Sequence, residues 1–293
     1  MTNHVSTLNV LLYGESIATI TNVGNDRTLF AFMDSYINDE SRPVLGLGFK
    51  DSLGGLLTSF KPTQNKLTPF FSNLLPEETM RNYLAERAGV NPAREFFLLW
   101  VLGQDLAGAI TVEPADGEAL PPNVHQGIDD ETKIASPMRF SLAGVQFKFS
   151  AVQSASGGLT IPTRRVGGNL LVKLPSREFT NVPENEFSMM SLARMVGINV
   201  PTIGLIDVRS IGNLPDGIER IGQQAFVIER FDRNDDGSVT HIEDFAQVFN
   251  VYPEDKYKKA SYRNLVSVIA SESDQDDVAE FIRRLTFNVL IGN

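Results

Sequence analysis

Residues 168–175 read GNLLVKLP and residues 183–197 read PENEFSMMSLARMVG, and together these two stretches decide the fold. The first is an apolar run with one cation, Lys173, and it is typical of a buried strand. The second repeats apolar residues at steps of three and four, which predicts an amphipathic helix. Pro183 suits the first turn of that helix, and Gly197 suits its end. A strand followed closely by a helix is therefore predicted.

Lys173 needs a partner, because burying an unpaired ammonium in apolar surroundings costs several kcal/mol. Glu186 lies on the helix face that also carries Met189 and Ala193, so we expect its carboxylate to face the core and to pair with Lys173. The alternative is an edge-strand lysine that extends into solvent beside an ordinary amphipathic helix. A strand lysine held by a helix glutamate is how protein kinases place a lysine on ATP phosphates.

Two further segments flank this pair. Residues 141–148, SLAGVQFK, form a turn of small residues that would let backbone N–H groups approach a phosphate, although a single glycine in a strand is also typical of a bulge. Residues 225–232, AFVIERFD, are an apolar strand that ends in charges and one aromatic, and its alternative is a buried strand leaving its sheet. Loop, lysine, glutamate and strand end follow the order of a kinase small lobe.

The first part of the chain predicts a small sheet with helices. Residues 8–21 have the pattern of a hairpin around Gly14, and residues 28–37 that of another strand. Helices are predicted after Pro76, with a stop at Gly89, and after Pro92, and the strand of residues 107–114 follows.

The whole chain predicts an α+β protein. Residues 1–112 form the first unit, and residues 113–137, with four prolines, are a linker. An antiparallel sheet with one helix is expected in residues 138–232, and the beginning of a helical lobe in residues 233–293. The strands of that second sheet are expected at residues 139–152, 160–162, 169–174, 203–209 and 224–231.

Composition excludes several classes of function. The chain has no cysteine, which excludes disulfides and thiolate chemistry, and its three histidines lie too far apart in sequence to suggest a metal site. The formal charge of -10 argues against a surface that grips nucleic acid directly. Neither a signal peptide nor a membrane span is apparent, so we expect a cytoplasmic protein without membrane contact.

The motifs SLAGVQFK, LLVKLPS, ENEFSMMSLARMVGINVP and FVIERFDR resemble those of the HipA family of serine/threonine kinase toxins. Residues 8–112 resemble the sheet-bearing subdomain that precedes the kinase in that family. The resemblance implies a kinase that uses ATP and Mg²⁺. It also implies roles for individual residues. The implied nucleotide-binding residues are Ala143, Gly144, Val145, Gln146, Phe147, Lys148, Lys173, Glu229, Arg230 and Phe231.

Within that set, the resemblance makes residues 143–148 the phosphate-covering loop, with Glu186 as the helix partner of Lys173. Glu229 and Phe231 would contact adenine through their backbone. Ser141 corresponds to the serine whose autophosphorylation ejects this loop and switches the kinase off.

The family's catalytic loop follows a motif like FNVLIGN, residues 287–293 here. An aspartate base, an asparagine and a metal-binding aspartate are thus expected beyond Asn293. No catalytic residue and no metal ligand is assigned within the chain, which we interpret as a shortened form of a longer protein. Transfer by this chain should be lost.

The resemblance also implies partners: a HipB-like DNA-binding antitoxin, and glutamyl-tRNA synthetase as substrate. DNA would be contacted only indirectly, through the antitoxin. The alternative function is a non-catalytic, kinase-like module that binds an antitoxin or another partner subunit.

Overall fold

The computed structural model describes residues 5–119, 148–153, 159–160, 168–176, 178–212, 214 and 220–292. These residues form two sheets with helices packed against them, which confirms the predicted α+β class. Each sheet has its own apolar core.

The first sheet contains five strands in the order β4-β3-β2-β1-β5, and all its neighbours are antiparallel. Alternate residues of the first strand are buried, as the two-residue period of a half-buried strand requires. The strands are β1 (Thr7–Leu12), β2 (Glu15–Asn22), β3 (Arg27–Phe32), β4 (Thr63–Gln64) and β5 (Ile110–Pro114). Strand β5 thus includes the first two residues of the predicted linker, and residues 120–137 of that linker lie outside the described residues.

The predicted hairpin around Gly14 is confirmed. Leu12 pairs with Glu15, so Tyr13 and Gly14 form a two-residue turn with φ values of 54° and 84°. Both values are positive, as a type I′ turn requires.

The strand predicted over residues 28–37 is wrong in its second half. Strand β3 ends at Phe32, and a short helix, α1 (Asp34–Asn38), follows. The chain turns here because Tyr36 is buried and its hydroxyl donates to the Pro43 carbonyl oxygen at 2.6 Å. A local contact with a later residue therefore overrides the strand pattern.

Three more helices complete the first unit: α2 (Pro69–Ser72), α3 (Glu78–Ala88) and α4 (Glu95–Leu102). The predicted helices after Pro76 and Pro92 are confirmed, and Gly89 ends α3 in the left-handed conformation with φ of 65°. Helix α3 serves both cores. Its Ala85 lies in the first core, whereas four other residues lie in the second, namely Met80, Tyr83, Leu84 and Ala88.

The second sheet contains six strands in the order β10-β7-β6-β8-β11-β9 within the described residues. All neighbours are antiparallel, as predicted, except β10 and β7, which are parallel. The strands are β6 (Lys148–Gln153), β7 (Leu159–Thr160), β8 (Leu170–Lys173), β9 (Ile203–Asp207), β10 (Ile211–Gly212) and β11 (Gln224–Glu229).

One face of this sheet contacts α3, and the other contacts α5 (Val182–Met195), the helix predicted from the opening motif. The remaining helices are α6 (Phe245–Val248), α7 (Tyr262–Glu272) and α8 (Gln275–Ile291), in agreement with the helical lobe predicted in residues 233–293. Among the described helices, none is long and apolar enough to cross a membrane.

The segment of residues 241–256 follows the second sheet in sequence but lies against the first unit. The His241 ring bonds the Leu45 carbonyl oxygen at 2.7 Å, and Gln247 donates to the Phe70 carbonyl oxygen at 3.1 Å. Lys256 forms an ion pair with Glu77 at 2.6 Å. The first unit therefore contacts the part of the chain that follows the second sheet as well as the second sheet itself.

Candidate nucleotide site

The structure brings Lys173 and Glu186 together. Strand β8 lies inside the sheet between β6 and β11, so the edge-strand alternative for Lys173 is wrong. The Lys173 ammonium forms an ion pair and a hydrogen bond with a Glu186 carboxylate oxygen, and the two side chains retain 27% and 25% of their exposure. The Lys173 ammonium also lies 5.7 Å from the ring centroid of Phe226. A partly exposed, oriented ammonium can reach a ligand.

A second lysine stands next to this pair. Lys148 is the register partner of Lys173 on strand β6, so both side chains leave the same face of the sheet. Desolvation, followed by repulsion from the Lys173 charge, lowers the pKa of Lys148 below the usual lysine value. The charges acting on Lys148 come from Lys173, Lys256, Glu77 and Glu186, so the group including Lys148 has one positive charge in excess. An anion is therefore favoured here, although the whole chain carries a charge of -10.

The position of Glu186 is set by both ends of α5. Pro183 occupies the first turn. After the helix, Gly197 has φ of 82°, and the Ile198 N–H donates to the Ala193 carbonyl oxygen at 3.0 Å. Arg283 of α8 donates to the Gly197 carbonyl oxygen at 2.8 Å. Helix α8 therefore helps to fix the helix that presents the glutamate.

The start of β8 is fixed by a close backbone approach at Gly168. Its N–H donates to the Ser150 hydroxyl at 2.8 Å, and a Cβ atom at this position would lie 1.9 Å from the Ala151 carbonyl oxygen. Since no side chain fits in that space, a glycine is required. The approach sets the register that places Lys173 opposite Lys148.

The end of β11 is held by backbone bonds from both sides. The Glu229 N–H donates to Thr202 at 2.9 Å, and the Arg230 N–H donates to Asn169 at 2.8 Å. For the Phe231 N–H, no acceptor is found among the described residues, and the Phe231 side chain is 67% exposed. Phe226 is opposite Lys173 in register, so three residues, or about 10 Å, separate Lys173 from Glu229 along the strand.

The Arg230 side chain has protein partners rather than an open position. Its guanidinium donates to Asp105 at 2.8 Å and to Asp232 at 2.8 Å. Sequence reasoning missed Asp105, Asp232 and the neighbouring Arg233 as members of one cluster. The available signal was the change from an apolar strand to alternating charges in residues 229–233, since buried charges need partners.

The remaining predicted site residues, from Ser141 to Phe147, lie outside the described residues. Lys148 is the described member of the predicted phosphate-covering loop, and it begins β6. No group of three or more His, Asp or Glu side chains that could hold a metal ion occurs in the described ranges.

A largely antiparallel sheet with an interior lysine, a following helix that supplies its glutamate, and a strand end held beside them define the small lobe of a kinase-like fold. Comparison of the sequence with known families identifies the particular one. Residues 8–113 match the HipA N-terminal domain, and residues 140–293 match the HipA-like C-terminal domain. The chain belongs to the HipA family of kinase toxins, as the motifs predicted.

Individual relatives agree with this assignment. Y4dM of Sinorhizobium fredii, a candidate kinase, is 53% identical over 291 residues, which cover 99% of this chain and 70% of that protein. The serine/threonine-protein kinase toxin HipA of Shewanella oneidensis is 30% identical over 267 residues, covering 79% of this chain and 58% of the toxin.

A solved structure shares the fold. It contains HipA of Shewanella oneidensis with HipB and their operator DNA, and the matched chain is 24% identical to this one with a TM-score of 0.69. The match covers 98% of this chain and 70% of the other.

Proposed function

We propose that this protein is the toxin of a HipA-type toxin–antitoxin system and binds Mg-ATP through the face of the second sheet that carries Lys173. The observation that carries this proposal is the Lys173–Glu186 ion pair beside the Lys148 ammonium, for which the described residues provide no ion-pair partner. Such a group favours a phosphate over other ligands, because phosphate oxygens accept charge-assisted hydrogen bonds.

In this proposal each described element has one task. Glu186 holds the Lys173 ammonium toward the phosphates, and Lys148 adds attraction from the neighbouring strand. The Phe231 N–H, which has no acceptor among the described residues, is available to an adenine edge. Residues 143–147 would cover the phosphates, and phosphorylation of Ser141 would remove that cover.

In an active kinase of this family, Mg-ATP would supply the γ-phosphoryl group to a serine hydroxyl of the acceptor protein, and ADP would leave. The family resemblance makes glutamyl-tRNA synthetase the first acceptor to test. No residue of the chain is assigned as the base that takes the hydroxyl proton or as a Mg²⁺ ligand. We therefore propose that residues 1–293 bind nucleotide without transferring phosphate at a measurable rate.

Titration calorimetry of the protein with Mg-ATP tests nucleotide binding. We expect weak binding, with a Kd between about 1 μM and 1 mM, because the site consists of one sheet face and a few polar contacts. Tripolyphosphate should bind more weakly than ATP, since it lacks the base that the Phe231 N–H would contact. If neither Mg-ATP nor tripolyphosphate gives a heat of binding, and the protein still binds its partner, the non-catalytic module is favoured instead.

We also propose a HipB-like DNA-binding antitoxin as partner, with DNA reached only through it. The solved Shewanella complex of HipA, HipB and operator DNA supports this, as does the acidic charge of this chain. Tagged protein should retain the cognate antitoxin in a pull-down, and it should slow the migration of operator DNA only when the antitoxin is present. A shift of operator DNA by the chain alone would contradict the proposal.

A further inference from the structure

A buried carboxylate connects the first unit to the end of β11. The Asp232 side chain is 5% exposed and accepts hydrogen bonds from Arg230 and Arg233 at 2.8 Å each. It also accepts from the N–H of Gly108, in the first unit, at 2.8 Å. These partners lower the pKa of Asp232 against the opposing effect of desolvation. The carboxylate is therefore held as an anion by donors from both units.

The two arginines extend the connection. Arg230 donates to Asp105 at 2.8 Å and to the Leu106 carbonyl oxygen at 3.1 Å. Arg233 donates to the same carbonyl oxygen at 2.8 Å and to that of Gly108 at 2.9 Å. The loop of residues 105–108 is thus held by Arg230, directly before Phe231, and by Arg233, two residues after it.

The loop has little freedom to move away. Gly108 has φ of 74°, and a Cβ atom there would lie 2.8 Å from the Ile242 backbone nitrogen. The next N–H, that of Ala109, donates to the His241 ring at 3.4 Å. The loop is therefore packed against the segment that joins α6 to the second sheet, and it offers a fixed support.

We infer that Asp232 is a positioning residue that fixes the backbone of residues 229–231 for an adenine nucleotide by tying it to the first unit. This inference rests on the proposed function. It assigns the first unit a role in nucleotide affinity, in addition to any partner binding. The cluster acts on the base end of the nucleotide, whereas Lys173 acts on the phosphate end.

The two ends can be measured separately with ATP and tripolyphosphate. Asp232→Asn keeps the shape of the side chain but removes the charge that both arginines share, and Arg233 then keeps only a long contact with Asp105 at 3.9 Å. We expect it to weaken ATP binding about tenfold, the usual size of coupling between sites. The affinity for tripolyphosphate should stay within about twofold of that of the unmodified protein, because Asp232 contacts neither Lys173 nor Glu186.

Asp105→Asn is the second variant, since Asp105 belongs to the first unit and its side chain is 30% exposed. It should weaken ATP binding in the same direction even if Asp232→Asn does not fold. Asp207→Asn is the matched control, because Asp207 pairs with the exposed Arg209 at the end of the edge strand β9. The control should bind both ligands like the unmodified protein.

The results distinguish failure of the proposed function from failure of the positioning role of Asp232. If the unmodified protein binds neither ligand, the proposed function fails. The positioning role of Asp232 is wrong if the unmodified protein binds ATP and the folded variants bind it equally well. It is also wrong if the variants lose affinity for ATP and for tripolyphosphate by the same factor. In both cases the proposed function stands.

Discussion

Lys173→Met should weaken ATP binding by about ten- to a hundredfold. A hydrogen bond to a charged group contributes about 1.5–3 kcal/mol, and a factor of ten in Kd corresponds to about 1.4 kcal/mol. Methionine keeps most of the apolar stem of Lys173, whose register partner is Phe226, so the change removes mainly the ammonium. Calorimetry with ATP and with tripolyphosphate measures the effect, and both affinities should fall because the lost group contacts phosphate.

Lys258→Met is the control for this experiment. Lys258 is an exposed lysine that pairs only loosely with Asp255 at 3.6 Å. Its replacement should leave both affinities within about twofold of the original. Should Lys173→Met bind ATP as tightly as Lys258→Met does, the phosphate role of Lys173 would have to be abandoned.

Glu95→Ala should lower the free energy of unfolding by about 3–5 kcal/mol, the usual cost of breaking a buried charged pair. Glu95 is 2% exposed. Its carboxylate accepts from the Leu67 N–H at 2.8 Å, from the Ser72 hydroxyl at 2.5 Å and from Arg81 at 3.2 Å. Alanine removes this shared acceptor, and the Ser72 hydroxyl then keeps the Leu67 carbonyl oxygen at 3.3 Å. Urea unfolding followed by the fluorescence of Trp100, the single tryptophan, measures the loss.

Glu86→Ala makes the same chemical change on the exposed face of helix α3. We expect it to alter the free energy of unfolding by no more than about 0.5 kcal/mol, as surface substitutions usually do. Equal midpoints for the two variants would show that the Glu95 contacts add no net stability.

The elements that the sequence predicted well are those with a clear period and clear limits. Helix α5 has apolar residues at helical steps, a proline at its start and a glycine after its end, and the structure places it within one residue of the predicted start and end. The Lys173–Glu186 pair followed from the same segment, because a charge on a core-facing position needs an opposite charge.

Features that depend on distant parts of the chain could not be predicted. The strand pattern of residues 28–37 stops at Phe32 because the Tyr36 hydroxyl bonds Pro43, a contact that no local period encodes. The Asp105–Arg230 pair joins residues 125 positions apart, so no local spacing rule connects them. The sequence showed that these charges need partners, but only the fold shows which ones.

Helix α3 belongs to the first unit by sequence, yet most of its buried residues lie in the core of the second sheet. Exchanging residues 1–112 between two relatives would therefore also replace the helix that packs against strand β8 in the second core. A chimaera that keeps α3 of the recipient would preserve the packing of this core. Boundaries for domain exchange in this family should accordingly be drawn from shared cores rather than from the sequence linker.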